Sequence, residues 1–310
     1  MSLFTRRVAI GSVAALLFIA GCQAASTSPS ASANGSATAS VAPSPVATVP
    51  TDELSFAGKL VWCIDIPYPP QEFFDAAGIP TGSDVEIANE IAKRLGLTSV
   101  IENSIFDTIM EAVNSGKCDI IISAQNINAD RLKVVDMIPY FQAGQAFVVA
   151  KGNPAGITTE LDLCGKKVGA EQGTTEVDYM NGTGKDYAGD GLLKKCTDAG
   201  KAAVVVTEYT KDSDALLALA AGQEDAYFAD SPVAGYYTVQ QPDQFELAGV
   251  TVEVVPEGIS VPQAKKGLSA AVVAALKSMM ADGTYGNILD KYGLKSYGVQ
   301  ESDVAVQSGS

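Results

Sequence analysis

The sequence predicts an α/β protein of two lobes, each a mostly parallel sheet with flanking helices, joined by two crossings. Three observations carry that expectation. Strand and helix patterns alternate twice along the chain, first over 59–122 and again over 167–230. Polar or charged residues stand at the carboxyl end of strand after strand. A final helical stretch follows a β-branched run, Val250 to Val255, which leads back to the first lobe.

Lys59 to Ile66 is an apolar strand that ends in Asp65 and is stopped by Pro67-Tyr68-Pro69-Pro70. Trp62 within it belongs in the core. Ser83-Asp84-Val85-Glu86 has the spacing of a capping box, with Ser83 capping and Glu86 reaching back. Val85, Ala88, Ile91, Ala92 and Leu95 then recur at helical spacing until Gly96. Thr98 to Ile101 is a second strand. Phe106, Ile109, Met110 and Val113 form the next helical stripe; Phe106 fits the core or a cleft equally. Cys118 to Ile122 is a third strand, its Ile120-Ile121-Ile122 run suited to burial on both faces.

After that strand the chain turns polar at once, through Ser123, Gln125, Asn126 and Asn128 to Asp130-Arg131. In open α/β sheets ligands bind beyond the carboxyl ends of strands. An Arg held there can grip a carboxylate with two parallel charge-assisted hydrogen bonds. Gly144 to Ala150 reads as a strand leaving the first lobe, with a hinge near Ala150. Lys167 to Ala170, Ala202 to Val206 and Asp225 to Ala229 are the strands of the second lobe. Gly173 allows a tight bend before Thr174 and Thr175 open a helix, whose free amides suit an anion. Asp230 ends the last of these strands. Helices over 214–221, 233–239, 268–280 and 285–292 complete the pattern.

The ends differ in character. Residues 1–22 hold Arg6-Arg7, an apolar run to Ala20, and then Gly21-Cys22, the pattern of a secretory signal. Cys directly after Ala-Gly resembles the lipoprotein cleavage box, which makes Cys22 the lipidated mature N-terminus; general and twin-arginine export both stay open. Residues 23–52 are rich in Ser, Thr, Ala and Pro and are expected to form a disordered tether. Residues 299–310 lack periodicity and are expected to be disordered. The lobes then take 53–149 plus 251–298, and 150–250.

The formal charge of −15 argues against nucleic acid as a partner. There is no His and no Cys-x-x-Cys among the five Cys, which argues against a zinc site and against His-dependent nucleophiles; no cofactor is expected. With Cys22 lipidated, four Cys remain in an exported protein and two disulfides are expected. Three pairings are open. Cys63 with Cys118 and Cys164 with Cys196 is favoured, because each pair lies within one lobe.

Seven motifs in order resemble the polar amino-acid family of bacterial extracellular solute-binding proteins, which serve ABC importers. They are D-I-P-Y-P-P-Q-E-F-F, G-S-D-V-E-I-A-N-E-I-A-K-R-L-G, F-D-T-I-M-E-A-V-N-S-G-K-C-D-I-I-I-S, N-A-D-R, V-G-A-E-Q-G-T-T, D-A-Y-F-A-D-S-P-V-A and A-D-G-T-Y-G-N-I-L-D-K-Y-G-L. The resemblance implies a type II periplasmic-binding-protein-like fold and a monomer that closes over a solute. It implies that Arg131 binds an α-carboxylate, helped by Asn126, Thr174 and Thr175, and that Asp230 binds the α-ammonium. Tyr68 and Phe106 would flank the ligand's side chain. Asp65 would meet its far end, and Ser123 would make a hydroxyl or backbone contact. Gln71, Ser83, Ala124, Asn126, Asn128 and Glu176 depart from the family's pattern and make the cleft more polar and acidic. Together with Asp65 and Glu171 they favour a cationic side chain (arginine, lysine or ornithine), with glutamine-like and other polar solutes left open.

The expected function is therefore a lipid-anchored extracytoplasmic binding protein that delivers a polar, cationic amino acid to an ABC permease in the membrane. Two alternatives remain: a dehydratase-like cleft enzyme using Glu171 or Glu176 as acid and base, and a sensor that presents ligand to a receptor.

Overall fold

Strand β1 (Lys59–Ile64) forms because its side chains are apolar on both faces. Leu60, Trp62 and Ile64 enter one core cluster, and Val61 and Cys63 enter another on the opposite side. A computed structural model describes residues 44–187 and 190–309. After β1 come the short strands β2 (Phe73–Phe74) and β3 (Pro80–Thr81), helix α1 (Ser83–Arg94), β4 (Thr98–Asn103), α2 (Ile109–Asn114) and β5 (Ile120–Ile121). β4 and β5 both run parallel to β1, as right-handed crossovers require. The Cys63–Cys118 disulfide ties β1 to the start of β5.

The long strand β6 (Val135–Ala150) follows, then β7 (Lys167–Glu171), α3 (Thr175–Asn181), α4 (Gly184–Tyr187), α5 (Leu192–Asp198), β8 (Val205–Tyr209), α6 (Asp212–Ala220), β9 (Ala226–Asp230) and α7 (Ser231–Gln240). The chain returns along β10 (Phe245–Pro262) and ends with α8 (Lys266–Ala281) and α9 (Thr284–Lys291). β7 is parallel to β8 and to β9. The Cys164–Cys196 disulfide lies in this half.

The hydrogen-bonded order is β4-β1-β5-β10-β6-β9-β7-β8. Parallel strands at both ends are joined through the antiparallel pair β6 and β10, the two crossings. Each half buries both faces of its part of the sheet. Ile138, Tyr140, Phe141 and Ala143 of β6 pack in the first half with Trp62, Ile91, Val272 and Leu276. From Ala146 onward β6 alternates between two clusters of the second half: Phe147 and Val149 face Val168, Met180 and Phe228, while Ala146 and Val148 face Leu219, Tyr227 and Val233. The change of core thus falls between Ala143 and Ala146, before the hinge expected near Ala150, whose backbone still pairs with Phe245. The opposing β10 has register shifts between Leu247 and Thr251, between Val252 and Val255, and at Glu257/Gly258.

Several local expectations are corrected. Ser83 is the first helical residue and makes no cap; Gly82 precedes the helix at φ 121°, and Glu86 instead accepts from the Tyr292 hydroxyl at 2.6 Å. Gly is required at 82, because a Cβ would lie 2.1 Å from the Gln71 carbonyl oxygen. The strand expected at Ala202–Val206 runs Val205–Tyr209, set by pairing with β7. The tail is ordered: Val304 is fully buried, and the backbone of Gln307 exchanges hydrogen bonds with Met137 at 2.8 and 2.9 Å. The end of the expected tether is also held. Val49 is buried, and Glu53 accepts from the amides of Gly267 and Leu268 at the start of α8. The leader, Cys22 and the tether up to residue 43 lie outside the described residues. Among the described residues, no helix is long and apolar enough to cross a membrane.

Candidate functional site

The carboxyl ends of β1 and β5 in one half, and of β7 and β9 in the other, open onto one narrow cavity. All nine residues singled out as ligand contacts line it: Asp65, Tyr68, Phe106, Ser123, Asn126 and Arg131 from the first half, and Thr174, Thr175 and Asp230 from the second. Glu72, Ala124, Glu171 and Glu176 complete the lining.

Asp65 follows β1 and is nearly inaccessible. Its Oδ2 accepts from the Phe106 amide at 2.6 Å, its Oδ1 pairs with the Lys211 ammonium, and its own amide donates to Ser123 Oγ at 2.9 Å. Ser123 in turn donates to Glu72 Oε1 at 2.8 Å. The proline-rich turn after Asp65 carries Tyr68 across to Asp230. Its hydroxyl donates to Asp230 Oδ2 at 2.9 Å and accepts from the Asp230 amide at 3.0 Å.

Arg131 lies beyond β5. Its Nη1 donates to the Asn126 carbonyl at 2.8 Å and its Nη2 to the Gly173 carbonyl at 3.2 Å, while the guanidinium sits 5.3 Å from the centre of the Phe106 ring. Gly173 has φ 79°, and a Cβ there would lie 2.9 Å from Asp107 Cα, so the turn that brings its carbonyl to Arg131 needs glycine. Thr175 opens α3. Its hydroxyl donates to Asn126 Oδ1 at 2.5 Å and accepts from Gln145 Nε2 at 2.8 Å. Thr174 spends its hydroxyl on the Glu171 carbonyl at 2.7 Å.

The cavity is acidic. Burial pushes the carboxyls of Glu72, Glu171 and Asp230 well above the usual range, and raises Glu176 and Asp65 as well. Neighbouring carboxylates add to the rise at Glu72, Glu171 and Asp230; Lys211 opposes it at Asp65. Desolvation lowers Arg131, and Glu176 opposes that. Four polar atoms on the lining residues are buried with no hydrogen-bond partner among the described residues: Asp230 Oδ1, Glu176 Oε1, Glu72 Oε2 and Asn126 Nδ2. Such groups normally find partners, because each unpaired one is costly.

Next to the cavity lie further residues, of which Asp84, Glu257 and Lys211 were not connected with it by local sequence reading. Asp84 sits in the helix start read as a cap, yet its Oδ2 accepts from the Ala124 amide at 3.1 Å and from the Tyr140 hydroxyl. It holds Ala124 at φ 47°, a conformation few non-glycine residues adopt. Gln71 donates to Glu257 Oε2 at 2.6 Å, and both are fully buried. Lys211 was also missed. Its partner is 146 residues away, and no local pattern links them.

Two halves joined by a pair of crossing strands, with a charged cavity between them, define the two-lobed periplasmic-binding-protein fold. Residues 60–295 match the bacterial extracellular solute-binding proteins, family 3, and the chain belongs to that family. It is 27% identical over 246 residues to the ABC transporter arginine-binding protein 1 of Escherichia coli (strain K12), covering 77% of this chain and 92% of that one. It is 27% identical over 260 residues to the arginine-binding protein ArgT of Corynebacterium glutamicum, covering 82% of each. Among solved structures, an ancestral arginine-binding protein bound to arginine aligns with a TM-score of 0.67 at 36% identity, over 76% of this chain and 98% of that one. The ancestral amino acid-binding protein AncCDT-1, a precursor of cyclohexadienyl dehydratase, aligns at 0.64 and 30% identity, over 76% and 95%.

Proposed function

We propose that this chain is a lipid-anchored extracytoplasmic binding protein that captures a polar, cationic amino acid by lobe closure and delivers it to an ABC import permease. The observation that carries the reading is the lining of the cavity: one guanidinium stands among five carboxyls, of which Asp230, Glu176 and Glu72 each have an oxygen without a partner among the described residues, acceptors that an arriving cation would draw into their ionised forms. A zwitterion with a positive side chain answers both signs. A buried charge left unpaired is strongly unfavourable, so the ligand's charges need partners from both lobes at once, and binding then favours the closed state.

In this reading Arg131 takes the α-carboxylate, with Asn126, Thr174 and Thr175 around it. Asp230 takes the α-ammonium, with the Tyr68 hydroxyl orienting its carboxyl. Phe106 and Tyr68 flank the side chain, whose far end lies toward Asp65 and Ser123. The first lobe is the sheet up to Ala143 with the chain after Glu257, and the second is what lies between. The relatives named arginine-binding support a cationic ligand, and a further ancestral structure of this type holds glutamine instead. Calorimetric titration of the full chain with the twenty amino acids and ornithine tests the reading: heat with arginine, lysine or ornithine is expected, and no heat with any would remove it. Cys22→Ser tests the anchor, and should move the protein from the membrane fraction to the soluble one.

A cleft enzyme is the second reading. It draws on the likeness to a dehydratase precursor and on Glu171 and Glu176, two cavity carboxyls that burial holds toward their protonated forms. Mass spectrometry after incubation with bound ligands decides it: an unchanged ligand leaves the binding reading alone.

A further inference from the structure

Lys211 stands where a helix-capping residue would be expected, directly before α6. A cation gains nothing there, because the helix's positive end and free amides face it. The first amide of α6 is instead held by a side chain from β7: Asp212 N–H donates to Glu171 Oε1 at 3.1 Å. Released from capping, Lys211 reaches across to the other half. Its ammonium pairs with Asp65 Oδ1 and approaches the carbonyls of Ser104 and Ile66 at 3.3 and 3.5 Å. An ammonium has three N–H donors, and these are three acceptors. All of them belong to the first half.

Asp65 is a cavity-lining carboxyl, the one assigned above to the far end of the ligand's side chain, and both of its oxygens are taken, one by Phe106 N–H and one by Lys211. We propose that Lys211 is a built-in rival of the ligand's distal cation, setting how strongly the cleft prefers cationic over neutral amino acids. This rests on the amino-acid-binding reading above. A guanidinium or ammonium arriving at Asp65 meets a carboxylate already paired, and two cations beside one carboxylate repel. The incoming charge must turn Lys211 out toward solvent, where its side chain, already 25% exposed, can go. A neutral side chain leaves the pair intact. Lys211 therefore weakens cationic ligands selectively and broadens the range of solutes accepted.

The test is calorimetric titration of the full chain, as wild type, Lys211→Met and Lys211→Arg, with arginine, lysine, ornithine and glutamine. Methionine keeps most of the length of the side chain and removes its charge. The ratio of cationic to glutamine affinity should rise roughly tenfold in Lys211→Met, the scale of a partly exposed ion pair with one buried partner, and stay near the wild-type ratio in Lys211→Arg. An unchanged ratio would overturn the proposal and leave the amino-acid reading standing. So would an equal fall in affinity for every ligand, which would make Lys211 a plain clasp between the halves. If no variant binds any amino acid, the reading itself fails and the proposal goes with it.

Discussion

Tyr68 and Asp230, 162 residues apart, are joined by two hydrogen bonds, the hydroxyl donating to Asp230 Oδ2 and accepting from the Asp230 amide. The phenol leaves one carboxyl oxygen, Oδ1, without a partner among the described residues. A carboxylate fixed in this way is prepared for a cation that arrives from the cavity. The preparation is costly without one, because burial and Glu176 both push Asp230 toward its protonated form.

Asp230→Asn should therefore weaken amino-acid binding while leaving analogues that lack the α-amine much less affected. Loss of one charged partner from a buried pair costs about 3–5 kcal/mol, or two to four powers of ten in affinity. Titrating the variant with an amino acid and with its des-amino analogue checks this. Equal losses for both would detach Asp230 from the amine.

Arg131→Ala should abolish binding of every amino acid while moving thermal melting of the ligand-free protein little. The side chain bonds two backbone carbonyls at a cavity wall rather than filling a core. Surviving affinity would mean that the carboxylate is held elsewhere.

The parts of this molecule that could be read from the sequence are those with a local period or a chemical anomaly. Helix α1 announces itself through Val85, Ala88, Ile91 and Ala92, and β5 through three consecutive isoleucines. Arg131 and Asp230 stand out as charges placed where strands end. The disulfide pairing followed from keeping each bond within one lobe. What escaped reading is long-range. Nothing near Lys211 tells that Asp65 lies opposite, and nothing near Ser83 tells that Tyr292 would occupy Glu86. The tail after Gly298 has no period because only single residues, Val304 above all, are buried by it, and β-bridges such as that between Gln307 and Met137 need no pattern.

That tail yields a stability prediction. Removing residues 300–310 strips Val304 from the first core, both Gln307 bonds from Met137, and the Ser308 hydroxyl that donates to Asp136 Oδ1 at 2.6 Å. Burial of one valine is worth about 1.5–3 kcal/mol and each of the three net hydrogen bonds about 1 kcal/mol, so a loss of roughly 4–6 kcal/mol is expected. Chemical denaturation of the truncated chain measures it, and an unchanged midpoint would show the tail to be dispensable.

Stability should also fall as pH rises from about 4 to about 7. Burial lifts Asp84 and Asp212 from 3.8 to about 7, and lifts Glu72, Glu171, Asp230 and Glu257 in the same direction. In this window the unfolded chain releases protons that the folded chain retains, so each such group contributes stability that is complete below its unfolded pKa and is lost as pH climbs through the folded one. Asp162 and Asp282, pushed down to about 2 by hydrogen bonds, act in the opposite sense, but their contribution changes only below about pH 4. The denaturation midpoint of the ligand-free protein should accordingly be higher at pH 5 than at pH 8. Asp84→Asn keeps an acceptor for Tyr140 and Ala124, and Asp212→Asn keeps one for Tyr227, so each should flatten part of the slope without unfolding the protein. A midpoint that rises between pH 5 and pH 8 would mean that these carboxyls are ionised in the folded state, with partners other than those described.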